Sequence, residues 1–119
     1  MIRIFAVLFV LLFFSFGSSE ATFVTAGHLL SLCESYTAGG EYNNIEEGTC
    51  HGYVMGAHDT AKSYERLFDV SPLYCEPPRV TSDQMVLVVR RYLLENPELL
   101  QAPASPKAID ALIRAFPCN

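Results

Sequence analysis

Basic residues are scarce in this sequence: eight Lys and Arg stand against thirteen Asp and Glu. The net charge of −5 argues against a nucleic-acid partner, because phosphate contacts need a basic footprint. No apolar run is longer than the eleven residues from Ile4 to Phe14, well short of the roughly 20 that a membrane-spanning helix requires. There is no C-x-x-C pair, and zinc sites usually draw their ligands from such close pairs. Nucleophile elbow, phosphate loop, HExxH and calcium loop are all missing, so no enzyme, cofactor or metal is expected. No stretch alternates in the manner of an amphipathic strand, and neither repeat nor linker divides the chain.

The N-terminus has the three parts of a secretory signal peptide. Arg3 is the positive region, Ile4 to Phe14 the apolar region, and Ser19 and Ala21 the small residues of a cleavage site. Cleavage after Ala21 is expected, with residues 1–21 as signal and 22–119 as one exported domain. No cysteine stands at the cut to carry a lipid anchor, so no membrane attachment follows cleavage. The signal takes Arg3 and Glu20 with it, which leaves the net charge unchanged. An acidic surface suits solubility or a basic partner and does not choose between them.

What remains holds all four cysteines, Cys33, Cys50, Cys75 and Cys118. An even number in a small exported domain reads as a disulfide framework. Four helical segments are legible between turn signals. The first follows the N-cap Thr25, carries Leu29, Leu32, Cys33 and Tyr36 on one stripe, and stops before Gly39 and Gly40. The second runs from about Glu46 to Phe68, where Gly48, Gly52 and Gly56 recur every four residues and so share a face. A glycine costs a helix interior up to about 1 kcal/mol against alanine, so this face is expected to pack tightly within the domain. Pro72, Pro77 and Pro78 open a second loop. The third helix starts at the capping box Thr81-Ser82-Asp83-Gln84 and buries Met85, Val88, Val89 and Tyr92, flanked by Val86, Leu87 and Leu93. Asn96-Pro97 ends it. The fourth is expected to start at Ser105-Pro106, to bury Ile109, Leu112, Ile113 and Phe116, and to stop at Pro117. The fold class is all-α, a small four-helix bundle stabilised by disulfides.

Helix direction limits the pairing. In an up-down bundle Cys33 ends the first helix and Cys50 opens the second at the same end, whereas Cys75 and Cys118 follow helices two and four at the other end. A helix of about 18 residues is ~27 Å long, and a disulfide needs Cα atoms within roughly 7 Å. Of the three connectivities this layout favours Cys33–Cys50 with Cys75–Cys118.

The remaining polar clusters have bland readings. His51 and His58 are seven apart beside Asp59, a poor metal spacing without a third ligand. Cys50 and His51 are sequence neighbours and do not face one another on a helix. Arg90-Arg91 reads as a solvated helix edge, and Glu46-Glu47 as first-turn acids favoured by the helix dipole.

Four segments together resemble a known group: LLSLCES, CHGYVMGAHD, YCEPPRVTSDQMVLVVRRYLLENPE and AIDALIRAFPCN. Within them C-x-G-Y-x-x-G (Cys50, Gly52, Tyr53, Gly56), C-x-P with Thr-x-x-Gln (Cys75, Pro77, Thr81, Gln84) and Ala115 to Cys118 carry the likeness to the Rap/Tai family of immunity proteins. That resemblance implies a small helical periplasmic protein of Gram-negative bacteria. It also implies that the protein blocks a peptidoglycan amidase effector delivered by type VI secretion, and often a homodimer. The long Tyr36 to Glu46 loop and Glu76, where many relatives carry an apolar residue, depart from the commoner pattern.

The partner expected on this resemblance is a protein, a secreted amidase, and binding is expected on displayed loops. Tyr42, Asn43 and Asn44 in the first loop are the leading candidates, followed by Leu73, Tyr74, Glu76 and Arg79 in the second, since tyrosine and arginine are enriched among residues that carry interface energy. Packing of these tyrosines within the loops is the competing reading. A general periplasmic chaperone is the alternative function, and a thiol enzyme would need a free cysteine.

Overall fold

The computed structural model describes residues 23–39 and 42–119. The expected signal peptide and its cleavage site lie outside the described residues, as do Gly40 and Glu41 of the first loop. Four α-helices follow in order: α1 (Ala26–Cys33), α2 (Ile45–Phe68), α3 (Ser82–Glu95) and α4 (Ala104–Ala115), with a short 3-10 turn at Pro97–Leu99. Each helix packs against the other three. Among the described residues there is no strand, only an isolated bridge between Thr25 and Pro103.

The helix starts follow local chemistry. Thr25 accepts a hydrogen bond from the His28 N–H, Asn44 from the Glu47 N–H, and Thr81 from the Gln84 N–H. The third is a complete capping box, because the Gln84 side chain accepts from the Thr81 N–H at 2.9 Å. α2 ends on Asp69, a non-glycine residue in the left-handed conformation (φ 49°), which short polar side chains tolerate best.

α4 starts two residues earlier than its sequence suggests. Its cap is Pro103, without a side-chain cap bond, and Ser105 and Pro106 lie inside the first turn. Tertiary hydrogen bonds account for the shift. The Ala104 N–H donates to the Val24 carbonyl, and the Ala26 and Gly27 N–H groups donate to the carbonyls of Ala102 and Leu100, all at 2.8–2.9 Å. The unpaired donors that begin two helices are thus satisfied by each other's approach segments. A glycine eases this close approach: a Cβ on Gly27 would stand 3.1 Å from the Leu100 carbonyl oxygen.

The Gly48, Gly52 and Gly56 face does not pack against the rest of the domain. The buried stripe of α2 is Glu47, Cys50, Val54, Ala57, Ala61 and Glu65. On a helix of 3.6 residues per turn the three glycines centre on the side roughly opposite that stripe. A Cβ at Gly52 or Gly56 would meet nothing within 4 Å, and one at Gly48 would meet only the Tyr42 ring. A four-residue spacing shows that residues share a face but not which way that face points.

The core is made of Ala26, Leu29, Tyr36, Val54, Ala57, Ala61, Tyr74, Met85, Val86, Val89, Leu93, Ala104, Ala108, Ala111 and Leu112, together with Cys33 and Cys50. Leu87, expected to widen the buried face of α3, is exposed instead. The structure joins Cys33 to Cys50 and Cys75 to Cys118, with Cα separations of 5.2 and 4.9 Å. These are the pairs that helix direction favours.

The two disulfides differ in exposure. Cys33 and Cys50 are wholly buried, whereas Cys75 and Cys118 are exposed. Thiol attack needs access to sulfur, so a graded dithiol titration should open Cys75–Cys118 first. On the chain-entropy model loops of 17 and 43 residues contribute about 3–4 kcal/mol each. Thermal melts should accordingly show two successive drops in Tm, and peptide mapping of alkylated intermediates should find label on Cys75 and Cys118 before Cys33 and Cys50.

Candidate functional site

The two loops expected to bind a partner are built differently. The first is anchored from both sides. Tyr36, buried just beyond α1, donates its hydroxyl to the Asp83 carboxylate at the start of α3, and the Gly39 N–H donates to the same carboxylate at 3.2 Å. The Tyr36 hydrogen bond holds the Asp83 carboxyl below its ordinary range. Burial, and then the Asp83 hydrogen bond and charge, push the Tyr36 phenol well above its own. Arg90 reaches the Tyr36 carbonyl oxygen through Nη1 at 3.4 Å while its Nε is buried without a partner. Arg90 is therefore a partly buried brace rather than a solvated edge, and only Arg91, paired with Glu95, fits that description.

Beyond this brace the Asn43 N–H donates to the Glu47 carboxylate at 2.8 Å, and Asn44 caps α2. Glu47 is 2% exposed, so it is not the solvated first-turn acid that its position suggests. Asn44-x-x-Glu47 has the capping-box spacing, but the carboxylate accepts from Asn43, one residue before the cap, and not from the cap itself. Asn43 and Asn44 thus have structural work, although both remain exposed. Tyr42 is half exposed, with its ring 5.3 Å from the His51 ring.

The second loop is held by a buried polar cluster under it. Tyr74 is completely buried, which removes it from any contact surface and makes it the largest fully buried side chain. Its hydroxyl meets His58 Nδ1 at 2.7 Å. The Lys62 ammonium lies 4.2 Å from the centre of its ring, and donates to the Tyr74 carbonyl at 2.8 Å. Lys62 also pairs with Glu65 at 3.2 Å and Glu76 at 3.1 Å, and the other Glu65 oxygen accepts the Leu73 N–H at 2.7 Å. Burial, then the nearby carboxylates, raise the Tyr74 phenol. Burial by itself would raise the Glu76 carboxyl as well, but a backbone N–H and Lys62 outweigh it and hold Glu76 low. Sequence reasoning missed His58, Lys62 and Glu65 here. The i, i+3 spacing of Lys62 and Glu65 was visible, but such a pair is usually a surface feature.

With Tyr74 and Glu76 turned to structural tasks, the outer surface of this region is apolar. Tyr64, Leu67, Phe68, Val70 and Leu73 are exposed over the last turns of α2 and the start of the loop, with Leu67 at 79% and Phe68 at 63%. The Tyr64 and Phe68 rings pack at a tilt, with centroids 4.7 Å apart. Scattered apolar residues need no explanation, but five within ten positions at one helix end form a patch of the kind that marks an interaction surface. All four cysteines are in disulfides, which leaves no thiol nucleophile. Among the described residues no three His, Cys, Asp or Glu side chains gather as metal ligands.

The polar cluster makes a pH-dependent contribution. A carboxyl whose folded value lies below its unfolded value of about 4.3 stabilises the fold above that pH and loses the effect as the group protonates. Glu76→Gln is expected to destabilise the protein at pH 7 by less than about 1 kcal/mol, since the pair is partly solvated. The variant and the parent should converge in denaturant midpoint as the pH falls below the ordinary glutamate range. Tyr74→Phe, which strips a buried hydrogen bond from His58, should cost about 1–2 kcal/mol in the same urea titrations.

A family model described as Rap1a immunity proteins matches residues 25–118. No curated protein and no solved structure matches the chain. The match runs from the cap of α1 through both disulfides and both loops to the last cysteine, and on it the chain belongs to the Rap1a immunity protein family.

Proposed function

We propose that this chain is exported through a cleaved N-terminal signal and, in the periplasm, binds a type VI secreted peptidoglycan amidase. By occluding the active-site cleft it protects the producing cell without catalysing a reaction itself. The observation that carries this reading is the family match over residues 25–118, joined to a rigidly held loop beside an exposed apolar patch. Leu67, Phe68, Val70 and Leu73 supply the apolar contact. Tyr42 with Asn43 and Asn44 forms a second, more polar contact. Interface energy concentrates in a few such apolar and aromatic anchors. Pairing of two copies, which the resemblance implies, has the open Gly52 and Gly56 helix face available to it.

A general chaperone would use the same exposed apolar surface on many unfolded clients, so selectivity separates the two readings. The disulfide-bonded protein, mixed with the amidases encoded beside its gene, is expected to form a stoichiometric complex with one of them and to stop its hydrolysis of peptidoglycan. Phe68→Asp and Leu73→Asp, both at exposed positions, should each weaken that complex at least tenfold while leaving Tm within a few degrees. Failure to bind any amidase, together with suppressed aggregation of unrelated proteins, would replace the inhibitor reading with the chaperone one.

A further inference from the structure

Between the second loop, α3 and the end of α4 lies an open groove of about 530 Å³, lined by Pro77, Arg79, Val80, Gln84, Leu87, Val88 and Phe116. Its size falls within the range of about 300–1,000 Å³ typical of ligand-binding clefts. Three features hold its walls in place. Cys75–Cys118 and the bond from the Cys75 N–H to the Phe116 carbonyl (2.8 Å) tie the Phe116 wall to the loop. The Val80 N–H closes a turn on the Pro77 carbonyl at 3.0 Å, which sets the opposite wall. The Thr81–Gln84 capping box holds the start of α3, whose Leu87 and Val88 face the groove. A receptor already ordered in its bound shape loses little entropy on binding.

The charge on this groove runs against that of the molecule. Arg79 is its one charged lining residue, and among the described residues it makes no ion pair or side-chain hydrogen bond. The Gln84 carbonyl oxygen is occupied by the Thr81 N–H, so its amide NH₂ is a second donor beside Arg79. Apolar walls with two donors and no acidic side chain fit an apolar anchor next to a carboxylate. On a chain of net charge −5 such an acidic ligand is repelled by the surface at large and favoured here.

We propose that this groove is a second docking site for the protein partner and receives a surface segment carrying an aromatic or aliphatic anchor flanked by Asp or Glu. The anchor lies between Val80, Leu87 and Phe116, and the carboxylate pairs with the Arg79 guanidinium. This rests on the reading of the chain as a protein-binding inhibitor, but one arm of its test does not need the effector. In that arm the isotope-labelled, disulfide-bonded protein is titrated by NMR with the peptides Ac-Glu-Leu-Phe-Glu-NH₂ and Ac-Lys-Leu-Phe-Lys-NH₂. The acidic peptide is expected to shift the amides of Val80, Leu87, Val88 and Phe116, and to bind at least fivefold tighter than the basic one. Arg79→Gln should erase that preference without moving Tm. Equal shifts from both peptides, shifts elsewhere, or none at millimolar peptide would overturn the proposal. In the effector arm, Arg79→Glu and Leu87→Ser should each raise Kd at least tenfold. An amidase bound equally well by those variants refutes the groove and leaves the inhibitor function standing. Absence of any amidase partner alongside a positive peptide result refutes the function and leaves the groove.

Discussion

A core rich in alanine makes the two disulfides the constraint on which this structure depends. Six of the buried apolar residues, Ala26, Ala57, Ala61, Ala104, Ala108 and Ala111, are alanines, and they let the four helices approach closely. Close approach limits the apolar area each residue removes from water, and burial stabilises roughly in proportion to that area. In a domain this small the covalent links do what a larger core would otherwise do. Cys33–Cys50 joins the end of α1 to the first turns of α2 from inside the core. Cys75–Cys118 joins the second loop to the chain end from outside it.

Each disulfide is accompanied by a polar cluster that sets the shape of the adjacent loop. At one end Tyr36, Asp83, Gly39 and Arg90 hold the segment after α1 against α3. At the other, Lys62 gathers Glu65, Glu76 and Tyr74, and so ties the second loop along the last turns of α2. Buried charges are costly unless paired and hydrogen-bonded. In the Lys62 cluster each charge has an opposite partner, and the backbone groups of Leu73 and Tyr74 take up further hydrogen-bonding capacity. A loop fixed in this way can display apolar side chains without collapsing onto them, which suits a protein that must recognise another protein.

Local rules read correctly wherever a feature was decided by neighbours in sequence. The caps at Thr25 and Thr81, the stops at Asn96-Pro97 and Pro117, and the all-α class follow from hydrogen bonds and dihedral limits spanning three or four residues, whereas α1, expected to run on to Gly39, already ends at Cys33. The cysteine pairing was legible for a related reason: helix length alone separates the two ends of the bundle by more than a disulfide can span. Most of the readings that failed asked which way a face points. The glycine stripe of α2 looked like a packing seam and faces outward, and Tyr74 looked like a displayed tyrosine and is the largest fully buried side chain.

The sequence by itself determined the helices, the disulfide ends and the family, because periodicity, capping chemistry and motif order are properties of the chain. Only the tertiary structure decided what is buried and what is offered to a partner. A helix with apolar and small residues on several faces can turn more than one of them inward, and the choice is made by what the other three helices bring. Lys62 became the centre of a buried cluster because the second loop brings Glu76 and Tyr74 back over it. Arg79 was left uncompensated on the groove side of that same loop, because the acidic residues nearby in sequence are engaged with Lys62 or Tyr36. Pairings across such sequence distances depend on the path of the backbone, and that path is set by packing rather than by any local pattern.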